Sequence, residues 1–243
     1  MDAPKVVDLK IAVRTWWSQS VARLGWRLAL RTFATEMWGF LRESTPEQRR
    51  RRYGDVEYDW DHGVDTSGAT VDWRVRLLGV FHSPYQPTEP ALFHEMLQAL
   101  AIDFTDFVFV DLGSGKGRTL LMAAEYPFRR IIGVELLPAL HRVAQENLRK
   151  YASPAQRCFT LEAVHGDACE FEFPSEPTVL YLFNPFPEAG LARVAENLER
   201  SLTGHPRKVF VLYHNPLLEC VLAKCGAIRK TQATHQYAVY ESA

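Results

Sequence analysis

At 243 residues, 47% hydrophobic and 23% charged, the chain is long enough for one α/β domain of ordinary size plus an extension, and it carries no low-complexity tract or internal repeat. A formal net charge of -1 excludes attraction to nucleic acid or anionic membrane by a bulk field. Cys158, Cys169, Cys220 and Cys225 lack both the C-x-x-C pairing of a zinc site and the density of a secreted disulfide scaffold, and the eight histidines fall at no metal-ligand spacing. The expectation is buried free thiols, no metal and a reducing cytoplasm.

Residues 6–42 place Trp16, Trp17, Trp26, Phe33, Trp38 and Phe40 at helical spacing. Lys10, Arg14, Arg23, Arg27 and Arg31 interrupt the apolar residues, so the segment reads neither as a signal peptide nor as a membrane span. Two readings stand. One is a helical arm or lid packed on the main domain with its arginines wet. The other is a basic amphipathic helix lying on a membrane surface or docking a partner.

Residues 43–87 are polar and rich in turn formers, and with the arm they make up an extension over 1–87. Ser44-Thr45-Pro46-Glu47 predicts a short helix start. The run Arg49 to Arg52 precedes Asp55, Glu57, Asp59, Asp61 and Asp65, and these opposite charges are expected to be solvated or to pair with each other.

From 88 to 243, short β-rich runs at 107–110, 130–134, 158–163, 178–183 and 209–213 alternate with helical patterns at 120–125, 138–151 and 188–202. Near-continuous apolar strands between amphipathic helices predict an α/β fold, a doubly wound, mostly parallel sheet covered on both faces. Residues 227–231 and 236–240 read as a closing antiparallel pair, which makes seven strands.

Asp111-Leu112-Gly113-Ser114-Gly115-Lys116-Gly117-Arg118 follows the first strand and precedes a helix. Ligands of open α/β sheets bind beyond the carboxyl ends of the strands. The segment is no Walker A loop, because Gly117 follows Lys116 and Val110 stands where the first glycine belongs. It is no dinucleotide loop, because Arg118 occupies the last glycine position. G-x-G-x-G behind an acid suits a nucleoside ligand that has an amino-acid tail and no pyrophosphate, S-adenosylmethionine (SAM). Asp111 is placed to accept from a cationic amino group. Glu135, ending the second strand, is placed to accept from ribose hydroxyls. Asp167 and Ala168, after the third, are placed to meet the adenine amino group and a ring nitrogen.

These residues resemble the class I SAM-dependent methyltransferase superfamily over roughly residues 85–243, and the D-L-G-S-G-x-G-R form resembles the seven-stranded protein-lysine methyltransferases. Tyr85-Gln86-Pro87-Thr88 is similar to the Tyr-x-Pro-Thr segment of that group, which implies that Tyr85 and Thr88 help close over SAM. The other reading of Thr88 is a helix cap. The resemblance also implies cofactor contacts from Gly113, Ser114, Gly115, Gly117, Arg118 and Asn184. Amino-methylating relatives carry Asn/Asp-Pro-Pro-aromatic after the fourth strand; here Asn184-Pro185-Phe186 is one residue shorter. Asn184 would orient the acceptor nitrogen, with Pro185 and Phe186 against the substrate; Asn-Pro as a simple turn is the alternative. Tyr213-His214-Asn215-Pro216 ends the fifth strand and offers Tyr213 and His214 as further catalytic candidates, His214 as a base.

The leading expectation is therefore a SAM-dependent N-methyltransferase acting on a protein lysine or another amine. A small-molecule O- or N-methyltransferase and a non-catalytic SAM-fold module docking through its Trp-rich helix are the alternatives, with a nicotinamide oxidoreductase further behind. Nucleic acid is not an expected partner.

Overall fold

The computed structural model describes residues 9–43, 56–68 and 85–242. The predicted start at Ser44 to Glu47, the arginine run and Asp55 lie outside the described residues. The helical arm expected over residues 6–42 consists of two helices, α1 (Leu9–Leu24) and α2 (Trp26–Glu43), with the break at Gly25. They pack through Trp16 and Trp17 on Phe33, at ring distances of 5.8 and 6.3 Å. A short α3 (Val56–His62) lies in the stretch read as turn-rich, and α4 (Pro90–Gln98) opens the α/β part.

There the chain runs β1 (Val108–Leu112), α5 (Arg118–Ala123), β2 (Arg130–Glu135), α6 (Pro138–Lys150), β3 (Leu161–His165), β4 (Thr178–Phe183), α7 (Glu188–Gly204), β5 (Val209–His214), α8 (Glu219–Leu222), β6 (Ile228–Ala233) and β7 (Tyr237–Ser242). The sheet order is β3-β2-β1-β4-β5-β7-β6, with β7 antiparallel to both neighbours and the other pairings parallel. The expected seven-stranded sheet and closing pair are both present. β3 begins three residues later than expected, because the Arg157 and Cys158 amides turn aside to the Ala124 carbonyl at the end of α5. Of the cysteines, Cys158 and Cys225 are buried as expected, while Cys169 is half-buried and Cys220 exposed.

Each strand feeds two cores by its alternation. Phe109, Tyr181 and Leu212 point to one face, where Phe93, Met96, Leu121 and Phe128 cover them. Val110, Leu180, Val211 and Tyr213 point to the other, beneath Leu191, Val194 and Leu198 of α7. Full burial of each such aromatic or aliphatic side chain stabilises by roughly 1.5–3 kcal/mol. The strands of the central pairings are thus fixed in register by packing on both sides, and their carboxyl ends line up where β1 and β4 part.

In the acidic stretch at 57–65, Glu57 and Asp61 are exposed, whereas Asp59 and Asp65 meet partners far along the chain. Asp59 is buried, accepts from the Thr66 and Ser67 amides and the Thr66 hydroxyl, and pairs with Arg118 at 3.4 Å. Asp65 pairs with the Lys116 ammonium at 2.8 Å. These acids serve the cations of the glycine loop, which burial makes costly to leave unpaired. Asn147 on α6 completes the join: its Nδ2 donates to the carbonyls of Asp65 and Lys116, and its Oδ1 accepts from the Asp65 amide. Asn147→Leu keeps the branching and the number of side-chain heavy atoms and strands those partners. It should lower unfolding free energy by about 1–3 kcal/mol in urea titration, and a loss under about 0.5 kcal/mol would show that the join carries no stability.

Candidate functional site

A cavity of about 520 Å³ opens beyond the carboxyl ends of β1, β2 and β4, within the range that holds a small-molecule ligand. Its floor is the loop after β1. Gly113 and Gly115 take φ of 89° and 56°, conformations that cost an L side chain. Space forbids a Cβ as well: at Gly113 it would stand 2.5 Å from Pro185, and at Gly115 it would overlap the Tyr85 ring. The glycines let two walls, the β4 loop and the segment before α4, close on the loop backbone. Ser114 sits over Gly133 of β2, where any Cβ would collide with its hydroxymethyl.

Glu135 grips this floor. One carboxylate oxygen accepts from the Gly115 amide at 2.8 Å and the other from the Leu137 amide at 2.7 Å. With about four acceptor positions on its two oxygens, the carboxylate keeps capacity for a ligand hydroxyl. Burial raises its pKa, and those amide bonds oppose the rise. Asp111, beside Gly133 and Tyr181 in the ladder, accepts from the Thr119 hydroxyl. Its burial raises the carboxyl to about 7, opposed by the Thr119 bond and reinforced by the charge of Glu135. Asp167 caps the turn Ala168–Glu170 with one oxygen on the Cys169 amide at 2.9 Å, and it lines the cavity with Ala168. The Ser114 hydroxyl, buried at the cavity, has no hydrogen-bond partner among the described residues. Two buried carboxylates and an orphaned hydroxyl around one cleft fit a ligand that brings hydroxyl and ammonium donors, as SAM does.

Tyr85 donates to the Thr66 carbonyl at 2.6 Å and lies across the loop, and Thr88 stands beside it in the lining. Thr88 is not the cap of α4, whose N-cap is Glu89. Its hydroxyl bonds Tyr181 Oη at 2.8 Å instead, and Tyr181 in turn bonds His214 Nδ1 at 2.8 Å. Arg118 also borders the cavity, while its guanidinium reaches back to Thr66 Oγ1 at 2.7 Å and stands 4.8 Å above the Tyr58 ring. Gly117 lies behind the loop as the N-cap of α5, against Ala144.

At the end of β4, Asn184, Pro185 and Phe186 form the opposite wall. Asn184 and Asn215, each followed by proline, take φ of 44° and 48° at the ends of neighbouring strands, a region asparagine enters more readily than most residues. The Asn184 amide donates to the Asn215 carbonyl and accepts from Tyr213 Oη, the latter at 2.7 Å. Tyr213 and His214 are not brought together. As successive strand residues they face opposite sides of the sheet, and neither lines the cavity. His214 stacks on Phe183 at 3.8 Å, and burial lowers it to about 4, so it is neutral near pH 7.

Sequence reasoning passed over Tyr181, Thr119 and the Asp59–Ser67 segment. Tyr181 sits in an apolar strand run whose alternation is the only hint that it shares a face with Asp111. Nothing in one sequence joins residue 65 to residue 116.

The raised carboxyl of Asp111 sets a pH dependence. Below pH 7 it holds a proton that it would have to release in order to accept from a ligand ammonium. SAM affinity should therefore be nearly level just above pH 7 and fall by up to about tenfold per unit below it, with proton release on binding at pH 6. Calorimetry in buffers of different ionisation heat reads both; Asp111→Asn should bind more weakly and without this slope. Constant affinity from pH 5.5 to 7.5 would contradict the assignment.

Residues 81–175 match the family described as "Histone methylation protein DOT1". A protein-lysine N-methyltransferase of Saccharolobus islandicus is 31% identical over 103 residues, which are 42% of this chain and 60% of that relative's length. Among solved structures, an RNA methyltransferase of Salinibacter ruber in complex with S-adenosyl-L-homocysteine is 25% identical, covering 64% of this chain and 92% of that one at a TM-score of 0.44. A precorrin-6y C5,15-methyltransferase of Geobacter metallireducens is 15% identical, covering 65% and 88% at 0.47. The sheet order and the glycine loop between two strand-end carboxylates are Rossmann-like, and the sequence matches make this chain similar, over part of its length, to the class I SAM-dependent methyltransferases.

Proposed function

We propose that the chain binds SAM in this cleft and transfers its methyl group to an amine, with the ε-amine of a protein lysine as the acceptor class. The match to a protein-lysine N-methyltransferase supports that class. The observation that carries it is the Asn184 amide, fixed at the cavity wall between Tyr213 and Asn215.

Glu135 would hold the ribose hydroxyls, Asp111 the amino group of the methionine moiety, and Asp167 the adenine edge, with Ser114 Oγ free to meet a polar atom of the ligand. When bound, SAM supplies a methyl group on a cationic sulfonium. The chain's part is to align a nucleophile behind that carbon and to exclude water. Asn184 Oδ1 spends one lone pair on Tyr213 and offers the other to an incoming N–H. Because both ends of the amide are tied, the acceptor oxygen cannot swing away. Pro185, Phe186 and Leu217 give the approach an apolar lining, which favours the neutral amine over its ammonium form. The neutral amine forms the new N–C bond as the S–C bond breaks with its electron pair on sulfur, and the extra proton leaves to solvent. His214, buried and hydrogen-bonded to Tyr181, is not assigned a part in this step.

The test is incubation with methyl-tritiated SAM and a lysate lacking the enzyme. Label should enter protein and be recovered after hydrolysis as methylated lysine. Asn184→Gly, which keeps the left-handed backbone and deletes the amide, should lower kcat on the order of a hundredfold and leave SAM affinity within about threefold. Label in metabolites or nucleic acid alone would overturn the acceptor class. Collapse of SAM binding in the variant would make Asn184 a cofactor residue instead.

A further inference from the structure

Among the described residues, α2 packs on α1 through one side. Ala29 is fully buried and Phe33 packs on Trp16 and Trp17 of α1. Away from that contact, two stripes run along the helix at spacings of four, seven and four residues, so each stays on one line of the surface. Trp26, Leu30, Met37 and Leu41 form the first, and Arg27, Arg31, Trp38 and Arg42 the second. Trp26 is 61% exposed, Leu30 51%, Trp38 70% and Leu41 60%. The three arginines are also exposed. The Arg27 guanidinium lies 5.3 Å over the Trp26 ring, and Glu36 falls on the opposite flank of the helix from the basic stripe. None of these stripe residues lines the cavity of the candidate site.

Large exposed apolar residues in a contiguous row mark a surface that something covers. The chemistry of this row selects its occupant. A second copy of the helix laid face to face would set arginine against arginine, at a cost from like charges. No described helix is long and apolar enough to cross a membrane. Tryptophan, leucine and arginine on adjacent stripes suit the headgroup boundary of a bilayer, where indole rings and aliphatic chains sink while guanidinium groups stay with lipid phosphates. The chain as a whole is slightly acidic, so attraction to anionic lipid must arise locally, from Arg27, Arg31 and Arg42.

We propose that this face of α2 docks the protein on an anionic bilayer surface, the helix lying in the plane of the headgroups. At eighteen residues it lays down about 27 Å of contact. The partner is a lipid surface bearing net negative charge; the catalytic cleft is untouched by the contact.

The experiment uses the full chain and two kinds of vesicle, phosphatidylcholine alone and an equal mixture of phosphatidylcholine and phosphatidylglycerol. The protein should sediment with the mixed vesicles and not with the neutral ones, its tryptophan emission should shift to the blue, and added salt should release it. Each arginine near an anionic surface is worth about fivefold in partitioning, so Arg27→Gln, Arg31→Gln and Arg42→Gln together should weaken binding on the order of a hundredfold. Trp26→Ser with Trp38→Ser should abolish the blue shift. SAM binding by calorimetry, unchanged in both variants, checks that they fold. The unmodified chain decides the matter by itself if they do not: failure to bind the mixed vesicles, equal binding to neutral ones, or binding insensitive to salt each overturns the proposal. So does concentration-dependent dimerisation that the Trp26→Ser, Trp38→Ser chain loses while vesicle binding is absent.

Discussion

The site depends on one close approach: the backbone of the loop from Gly113 to Gly117 laid against the end of β2 and held there by Glu135. That carboxylate has an oxygen on the Gly115 amide and another on the Leu137 amide, so it ties the loop to the turn that starts α6. The glycines are the condition for it. A side chain at 113 would strike Pro185, and one at 115 would strike Tyr85. With both bare, the loop becomes a floor with walls on two sides, and the acid that fixes the floor keeps unshared electron pairs for a ligand. The group that fixes the floor is also the one that presents acceptor oxygens to the cleft.

Strand alternation then sorts the remaining groups. Asp111 and Tyr181 are ladder neighbours on the face covered by α4 and α5, so the Thr88–Tyr181–His214 row of hydrogen bonds runs under the cofactor side of the cleft. Tyr213 faces the α7 side and can reach only around the strand end, where it holds Asn184. Tyr213 and His214, neighbours in sequence at the end of β5, face opposite sides of the sheet. His214 supports one wall through Tyr181, and Tyr213 supports the β4-loop wall through Asn184. The loop is secured from behind by Asp59, Asp65 and Asn147, which meet the buried Arg118 and Lys116. The segment before the α/β region is in this way part of what positions the glycine loop.

Much of this was legible in the sequence, for physical reasons that differ by element. Strands such as Val179-Leu180-Tyr181-Leu182 are apolar on both faces, a pattern only a covered parallel sheet satisfies, and the glycine loop with Asp111 and Glu135 follows from backbone chemistry that few other residues support. What stayed hidden was long-range. The pairing of Asp65 with Lys116 spans a chain separation that leaves no periodic trace. Local competition explains the boundaries: Cys158 and Phe159 look like strand, yet the Arg157 and Cys158 amides are drawn to the Ala124 carbonyl, and β3 starts only at Leu161. Thr88 ahead of Pro90 looked like a cap because the sequence does not reveal that Tyr181 lies within reach.

The central claim is that these strand ends cradle an adenosyl group. A crystal structure of the chain with S-adenosylhomocysteine tests it most directly. The account places the ribose hydroxyls on Glu135, the amino group on Asp111 and the sulfur facing Asn184 across the cleft. Density for the ligand elsewhere on the molecule, or in the cleft with its ribose away from Glu135, would contradict it.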